Sequence, residues 1–582
     1  MTETTAVMQL RITPVPASYK LSADENGVTP LIPADAGDSI RIVTAKNDDA
    51  AFSVLVSADR AFALSCDTSP WFSQDPAYPT VRVSSDAPFF VTVEHAALHK
   101  INDGTSRADA LLSDPVKEIP AGVTAQLFCS MHIPADAQPG TYSGHLDFYY
   151  NTAFEDEVLL RRASFTLDVR RYTFPDNAHN GFHLDLWQHL SNIARKHEVP
   201  LWSDAHFAVL EPYCRSLGEL GVKSVTVVAS EIPWNGQWCH QMPAHTNLYE
   251  YSIIGVTKRR DGTFVYDYTA MQRYIDLCAK YGVDECISVF GLANVWNADV
   301  RYNGKTARDY PDCMHIRYFD EESGTYRYMK RGCEVDDYIR SLERYFIDTD
   351  QIDRVRISAD EPHVLEPFKE SLERLHTNAP HFRCKTACDK PEFVEAFAYL
   401  MDDFIFDIDT VSGKYDEMQA LFRAYPDKRF LHYVCCGPDY PNNFLKSDLV
   451  ESYFLCIYAS FAGVSGFLRW DYTVWNDDPR AEAVVGPWNA GDSYYIYPAK
   501  NGAPLLSLRW HAMRRSIRFF VLLEDTKKRG LTEVFDRAVD MVLREKDQPQ
   551  LIKNSKKTDS LSCSMADYER MWEYLLDALE EK

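Results

Sequence analysis

The chain has 582 residues, 46% hydrophobic and 25% charged, a balance that excludes both wholesale disorder and a bundle of membrane helices. A chain of this length is expected to split into two or more domains. Its 85 acidic residues against 61 basic ones leave a formal charge of −24, which opposes binding to nucleic acid phosphates or anionic lipid.

The first residues, MTETTAVMQLRITPVPASYK, lack the basic segment, apolar core and cleavage site of a secretory signal, so a cytoplasmic setting is expected. From there to Pro175 the chain reads as short alternating strands, among them FSVLVSADRAFAL, TVRVSS, FFVTVEH, AQLFCSMHI, TYSGHLDFYY and ASFTLDVR. Turn clusters rich in Pro, Asp and Gly separate them, the pattern of an antiparallel β-sandwich over residues 1–175.

Over residues 176–504 strands alternate with helices. Eight candidate strands begin at Gly181, Val222, Glu285, Val355, Phe382, Asp402, Phe430 and Gly463. Between them DAHFAVLEPYCRSLGELG, TAMQRYIDLCAKYG and VDDYIRSLERYFI carry apolar residues at helical spacing. Apolar strands with helical crossovers argue for a parallel sheet, and eight such units for a (β/α)₈ TIM barrel, giving a multidomain α/β chain. Residues 505–582 read as a helical tail packed on the barrel. Its last helix gathers Tyr568, Met571, Trp572, Leu575, Leu576 and Leu579 on one face, with a homodimer contact as the alternative use of that face.

Several strands end in groups suited to a sugar. Trp187 and Gln188 follow the first, Trp234, Asn235 and Gln237 the second, and Trp296 and Asn297 the third; Tyr433 lies within the seventh. After the eighth, Arg469, Trp470, Asp471, Tyr472, Trp475, Asn476, Asp477 and Asp478 crowd into GFLRWDYTVWNDDP. The 11 Trp and 33 Tyr of the chain offer flat faces for sugar rings, although aromatics also fill cores. Each residue alone suits a structural role, whereas convergence on one rim suits a saccharide pocket.

The fourth strand, VRISADEPH, ends directly in Asp360 and Glu361. The carboxyl ends of barrel strands are where catalytic groups of this fold sit. Neighbouring side chains on a strand point to opposite faces, so a shared pocket requires a bend at the pair, for which Pro362 is well placed. A negative Asp360 would keep Glu361 protonated as a general acid. In the competing reading one acid caps the next helix and the other is solvated. The pair supplies no separate nucleophile across the sugar, which two-carboxylate hydrolysis needs.

The chain has no G-x-G-x-x-G before a helix, no G-x-x-x-x-G-K-[ST], no H-E-x-x-H and no G-x-S-x-G, so no cofactor is expected. His183, Asp185 and His189 have irregular spacing and suit a hydrogen-bonded rim better than a metal site. Fourteen cysteines, with no C-x-x-C pair, read as reduced thiols in the core; Cys435 and Cys436 are adjacent.

The segments DLWQH, PLWSDAHF, PWNGQ, ISADEP, YVCCGPDYPNNFLKS, GFLRWDYTVWNDDP, GDSYYIYP and SLRWHAMRRSI together resemble the catalytic domain of glycoside hydrolase family 123. That family is known from β-N-acetylgalactosaminidases and is related to a large group of uncharacterised proteins. IPADAQPGTYSGHLDF resembles its accessory β-sandwich. The resemblance implies a retaining, substrate-assisted mechanism in which the sugar's 2-acetamido group attacks its own anomeric carbon. It implies Glu361 as general acid and then base, with Asp360 orienting the acetamido N–H and stabilising the oxazolinium-type intermediate. Two departures stand out. SLRWHAMRRSIRFFVLLE differs from the family's usual ending, which bears on docking of the tail, and Asp471 stands where a small residue is more common, which bears on hydroxyl preference. A β-N-acetylhexosaminidase of different C4 preference and a sugar-binding protein without turnover are the competing readings.

Overall fold

The computed structural model describes residues 8–66, 79–112, 114, 116–152, 155–231, 249–294, 305–545, 547–551 and 560–580. At the front, two six-stranded sheets enclose one apolar core. The first runs Leu10–Pro16, Asp48–Ala58, Ala125–Ile133, Val91–Lys100, Ser106–Leu112 and Ser22–Ala23, all antiparallel. The second runs Ser39–Lys46, Val158–Thr173, Gly140–Asn151, Thr80–Asp86, Phe62–Ser65 and Val116–Ile119. It departs from a wholly antiparallel layout, because Ser39–Lys46 lies parallel to Val158–Thr173 and Phe62–Ser65 parallel to Thr80–Asp86. Period-two burial drives the assembly: Leu10 and Ile12 are buried while Arg11 between them is exposed. Phe52, Val54 and Leu127 of one sheet meet Val81, Leu146 and Phe165 of the other in the shared core.

All eight candidate barrel strands are present: His183–Leu186, Ser224–Val228, Cys286–Phe290, Val355–Asp360, Arg383–Cys388, Met401–Asp407, Arg429–Tyr433 and Gly466–Arg469. They form a nearly closed parallel barrel. The first strand pairs with the eighth, and a single bridge from Leu184 to Val222, with the Lys223 N–H donating to the Leu184 carbonyl at 2.9 Å, joins it to the second. Burial on both faces explains why the second and third strands read as near-continuous apolar runs rather than alternations.

The crossover helices start and stop where the sequence signals them. In Asp204–Leu220 the Ser203 side chain accepts from the His206 N–H at 3.2 Å, and Gly221 ends the helix with φ of 92°. Leu449–Ala462 is predominantly apolar and buried almost all round, with Leu508–Lys528 packed over it. A four-stranded sheet of Gly255–Lys258, Phe264–Asp267, Arg317–Asp320 and Thr325–Tyr328 was not foreseen from the sequence. These strands are short and partly exposed, so they carry little hydrophobic periodicity.

The last helix, Met565–Glu580, buries the six apolar side chains of its stripe. It docks on more than the barrel. Trp572 stacks on Phe174, donates its indole N–H to the Val43 carbonyl at 2.9 Å and meets Phe519 edge-on, while Tyr568 meets Tyr453 of the barrel helix. The tail thus ties the front sheets to the barrel. A buried ion pair between Asp109 and Arg509 at 2.9 Å, with the Tyr497 hydroxyl donating to the same carboxylate at 2.8 Å, reinforces that seam. Among the described residues no helix is long and apolar enough to cross a membrane.

Burial holds His95, His99, His206 and His432 down at about 4 and His511 at about 3, against an ordinary value of 6.5. Between these values and 6.5 the unfolded chain binds protons that the fold refuses, so stability falls as pH drops through that window. Thermal melts are expected to move down already between pH of about 6.5 and about 5, above the range where carboxylates protonate. A melting temperature that stays level until carboxylates titrate would contradict this.

Candidate active site

The bend at the acid pair falls on Glu361 itself. Asp360, 9% exposed, is the last residue of the fourth strand. Glu361 follows with φ of +41°, in the left-handed region that non-glycine residues avoid and that a following proline makes less favourable still. Such a conformation costs roughly 1–3 kcal/mol and persists only when its surroundings enforce it. Here the Glu361 N–H donates to the Ala387 carbonyl at 2.9 Å, and the Tyr433 hydroxyl donates to Glu361 Oε1 at 2.6 Å. From the loop after the third strand, Asn294 Nδ2 donates to the Asp360 carbonyl. Three strands and a loop therefore hold a half-buried carboxylate in one orientation.

Glu361 opens on a cavity of about 340 Å³ lined also by His363, Asp389, Asp407, Thr410 and Tyr433. Its two aspartates are already engaged. Asp407 accepts from the Thr410 N–H at 2.7 Å and from its hydroxyl at 2.6 Å, capping the helix Ile408–Gly413; burial nevertheless raises its pKa. Asp389 is largely exposed and paired with Lys390 at 2.8 Å; partial burial works to raise its pKa, but the Lys390 hydrogen bond and charge outweigh it and leave the pKa below the usual value. Burial, and then the charge of Glu361, push the Tyr433 phenol well up, so it stays a hydrogen-bond donor.

Beside the cavity lies an apolar layer inside the barrel mouth. Trp187, Val228, Phe290, Ile405, Leu431 and Leu468 belong to it together with Tyr433, and Trp187 meets Phe290 edge-on at 4.7 Å. Trp187 is 2% exposed, so its place is in this layer. Half-buried Trp470 packs against it, donates its indole N–H to Asp492 at 3.4 Å and leans on Trp488.

The cluster after the eighth strand does not converge on the cavity. Arg469 is fully buried and binds Asp492, Asn442 and the Val434 carbonyl. Asp471 is fully buried, accepts from the Thr473 and Val474 N–H groups and lies 3.2 Å from His189 Nδ1. Tyr472 is hydrogen-bonded to Ser216 at 2.7 Å, and Trp475 donates to the Ile496 carbonyl at 2.8 Å; both rings are in the core. Asp477 is exposed and lines a separate groove of about 790 Å³ between the front sheets and the barrel. Trp234, Asn235, Gln237, Trp296 and Asn297 lie outside the described residues. His183 faces Glu285 and Arg429, and Asp185 pairs with Lys385 inside the barrel.

Asp389 and Asp407 were missed in the sequence, although Asp389 directly follows the fifth strand and Asp407 ends the sixth as Asp360 ends the fourth. Adjacent acids draw the eye; single ones at equivalent positions do not.

Replacing Tyr433 with Phe removes one charge-assisted hydrogen bond from Glu361, worth about 1.5–3 kcal/mol, or roughly ten- to a hundredfold in rate if it is needed in the transition state. Steady-state kinetics of Tyr433→Phe are expected to show that loss in kcat more than in KM. A change confined to KM would place Tyr433 in substrate binding instead.

The model of the glycoside hydrolase 123 catalytic domain matches residues 187–525. Among solved structures, a family 123 glycoside hydrolase from Clostridium perfringens, studied for glycolipid glycan hydrolysis, superposes with a TM-score of 0.75 at 16% identity over 98% of this chain and 99% of that one. The β-D-glucuronidase of Dictyoglomus thermophilum reaches only 0.28 at 9% identity, covering 82% of this chain and 69% of that one, too slight a likeness to inform the fold. No curated protein sequence matches the chain. With the family model covering more than half its length, the chain belongs to glycoside hydrolase family 123, whose members are glycosidases acting on carbohydrate.

Proposed function

We propose that the chain removes terminal β-linked N-acetylgalactosamine with retention of configuration, using the sugar's own 2-acetamido group as nucleophile. The observation that carries this reading is the strained turn that sets Glu361 at the edge of the cavity directly after Asp360, together with the state of the other carboxylates there. Glu361 is held by the Tyr433 hydroxyl at the edge of the cavity, Asp389 is tied to Lys390, and Asp407 is tied to Thr410. Two-carboxylate hydrolysis would draw its nucleophile from the last two: Asp407 spends both oxygens capping a helix, and Asp389 is a largely exposed group beside Lys390.

In the proposed cycle Glu361 protonates the glycosidic oxygen while the acetamido carbonyl oxygen bonds to the anomeric carbon and the aglycone leaves. Asp360 accepts the acetamido N–H, which gains positive character as the oxazolinium ring forms. Water then enters, Glu361 takes its proton, and the ring reopens to the sugar with its original configuration. Trp470, the half-buried indole at the barrel mouth, is proposed as a stacking face for the sugar ring. The glycolipid glycan hydrolysis attached to the Clostridium perfringens relative makes a glycolipid headgroup a natural aglycone to try.

Chromogenic aryl glycosides differing at C2 and C4 test the proposal. Release from the β-N-acetylgalactosaminide with none from the plain β-galactoside is expected. Comparable rates on both would exclude acetamido assistance and turn attention to Asp389 and Asp407, and preference for the gluco epimer would reassign the C4 specificity.

A further inference from the structure

Cys435 and Cys436 follow Tyr433 by two and three residues, where the seventh strand leaves the barrel. Their sulfurs are 3.8 Å apart. Cys435 is half-buried against the layer containing Trp187 and Tyr433, whereas Cys436 is exposed. Most other cysteines among the described residues are buried, where a thiol serves as a small apolar group; this pair instead stands at the mouth of the barrel. The backbone around it is tied down. The Cys435 N–H donates to the Gly437 carbonyl at 3.0 Å, and the Cys435 carbonyl accepts from Asn442 Nδ2 at 3.1 Å; Asn442 in turn is held by buried Arg469.

From this placement we infer that Cys435 and Cys436 form a redox-modification site, a vicinal dithiol that low-molecular-weight disulfides close into a ring and that governs the hold of Tyr433 on Glu361. The exposed Cys436 sulfur, as thiolate, attacks one sulfur of the small disulfide, forming a mixed disulfide and releasing one small thiolate. Cys435, losing its proton to solvent, then attacks the Cys436 sulfur and expels the second. The two protein thiols thus lose two electrons, and one small disulfide becomes two small thiols. A hydrogen bond from Cys435 favours Cys436 as the first nucleophile by lowering its pKa, with the carboxylates of Asp492 and Glu361 opposing.

Ring closure cannot leave the backbone unchanged. Adjacent Cα atoms are about 3.8 Å apart across a trans peptide, whereas relaxed disulfides prefer about 4.4–6.8 Å, so the ring twists the Cys435–Cys436 peptide and is easily reduced. That peptide lies just beyond Tyr433 on the chain, and its own carbonyl is the group held by Asn442, so twisting it pulls against the Asn442 anchor and on the strand end that carries Tyr433. The displacement is therefore delivered to the Tyr433–Glu361 contact.

The consequence for turnover rests on the glycosidase reading, while closure itself does not, so the two are measured separately. The full chain is incubated with oxidised glutathione, and intact mass with peptide mapping is read in the absence of any glycoside. The Cys435–Cys436 peptide is expected to lose two hydrogens without a lasting adduct, and exposed Cys333 to carry an adduct only. Turnover of the aryl glycoside is expected to drop about tenfold, in line with loss of a charge-assisted hydrogen bond, and to return with dithiothreitol. The Cys435→Ser/Cys436→Ser double variant is expected to keep the untreated rate and ignore the oxidant. Tyr433→Phe, already lacking the contact, is expected to form the ring without further loss. A glutathionyl adduct that persists on Cys436, or a closed ring with an unchanged rate in the unsubstituted chain, would overturn the inference.

Discussion

Glu361→Gln is expected to lower kcat on N-acetylgalactosaminides by about 10³-fold, within the range typical of a removed general acid–base group. The amide cannot donate a proton to the glycosidic oxygen or accept one from water, yet it keeps an oxygen to receive the Tyr433 hydroxyl. Gln also tolerates φ of +41° no worse than Glu, so the strain stored at that residue is unchanged and the melting temperature should hold. The defect should shrink with a dinitrophenyl aglycone, which leaves without protonation, and persist with an alkyl aglycone. Equal loss on both leaving groups would remove Glu361 from the acid role. A fall in melting temperature would mean that the strained turn, not proton transfer, had been damaged.

The second large effect is expected at Arg469, a residue whose type and position at a strand end suggested sugar binding. Its side chain and that of Asp492 are both fully buried, 2.6 Å apart. Arg469→Ala leaves the Asp492 carboxylate buried without its cation, which typically costs about 3–5 kcal/mol. Burial already raises the pKa of Asp492 while Arg469 opposes the rise. Without the arginine the folded state would hold that proton more tightly still. A group with a raised folded pKa contributes stability below its unfolded value and loses it as pH rises, so the deficit of the variant should grow with pH. Urea unfolding at two pH values checks this. A variant with unchanged stability and only a raised KM would return Arg469 to the substrate.

These cases mark where reading the sequence succeeds and where it stops. The eight barrel strands were legible because burial on both faces writes an apolar run into several of them, such as SVTVV and CISVF, and because helical stretches separate them at regular intervals. Asp360 and Glu361 were legible because two acids close such a run. Neither signal carries side-chain direction in a loop. The backbone of GFLRWDYTVWNDDP pairs with a later segment, the Val474 N–H donating to the Ser493 carbonyl at 3.1 Å and the Tyr495 N–H to the Tyr472 carbonyl at 3.2 Å. That pairing turns Tyr472 and Trp475 inward and leaves Asp477 exposed. The partners lie about twenty residues away along the chain, beyond the reach of local pattern.

The sequence by itself determined the order of the eight barrel strands, the strand that ends in paired acids and the family to which those segments belong. Only the tertiary structure decided which groups meet: Tyr433 on Glu361, Asp389 and Asp407 in the same cavity, and Arg469 on Asp492 away from it. Periodicity records which face of an element is dry. Contacts between elements depend on how far each chain segment turns before it returns, and at Glu361 that turn is a left-handed residue imposed by neighbours from other strands.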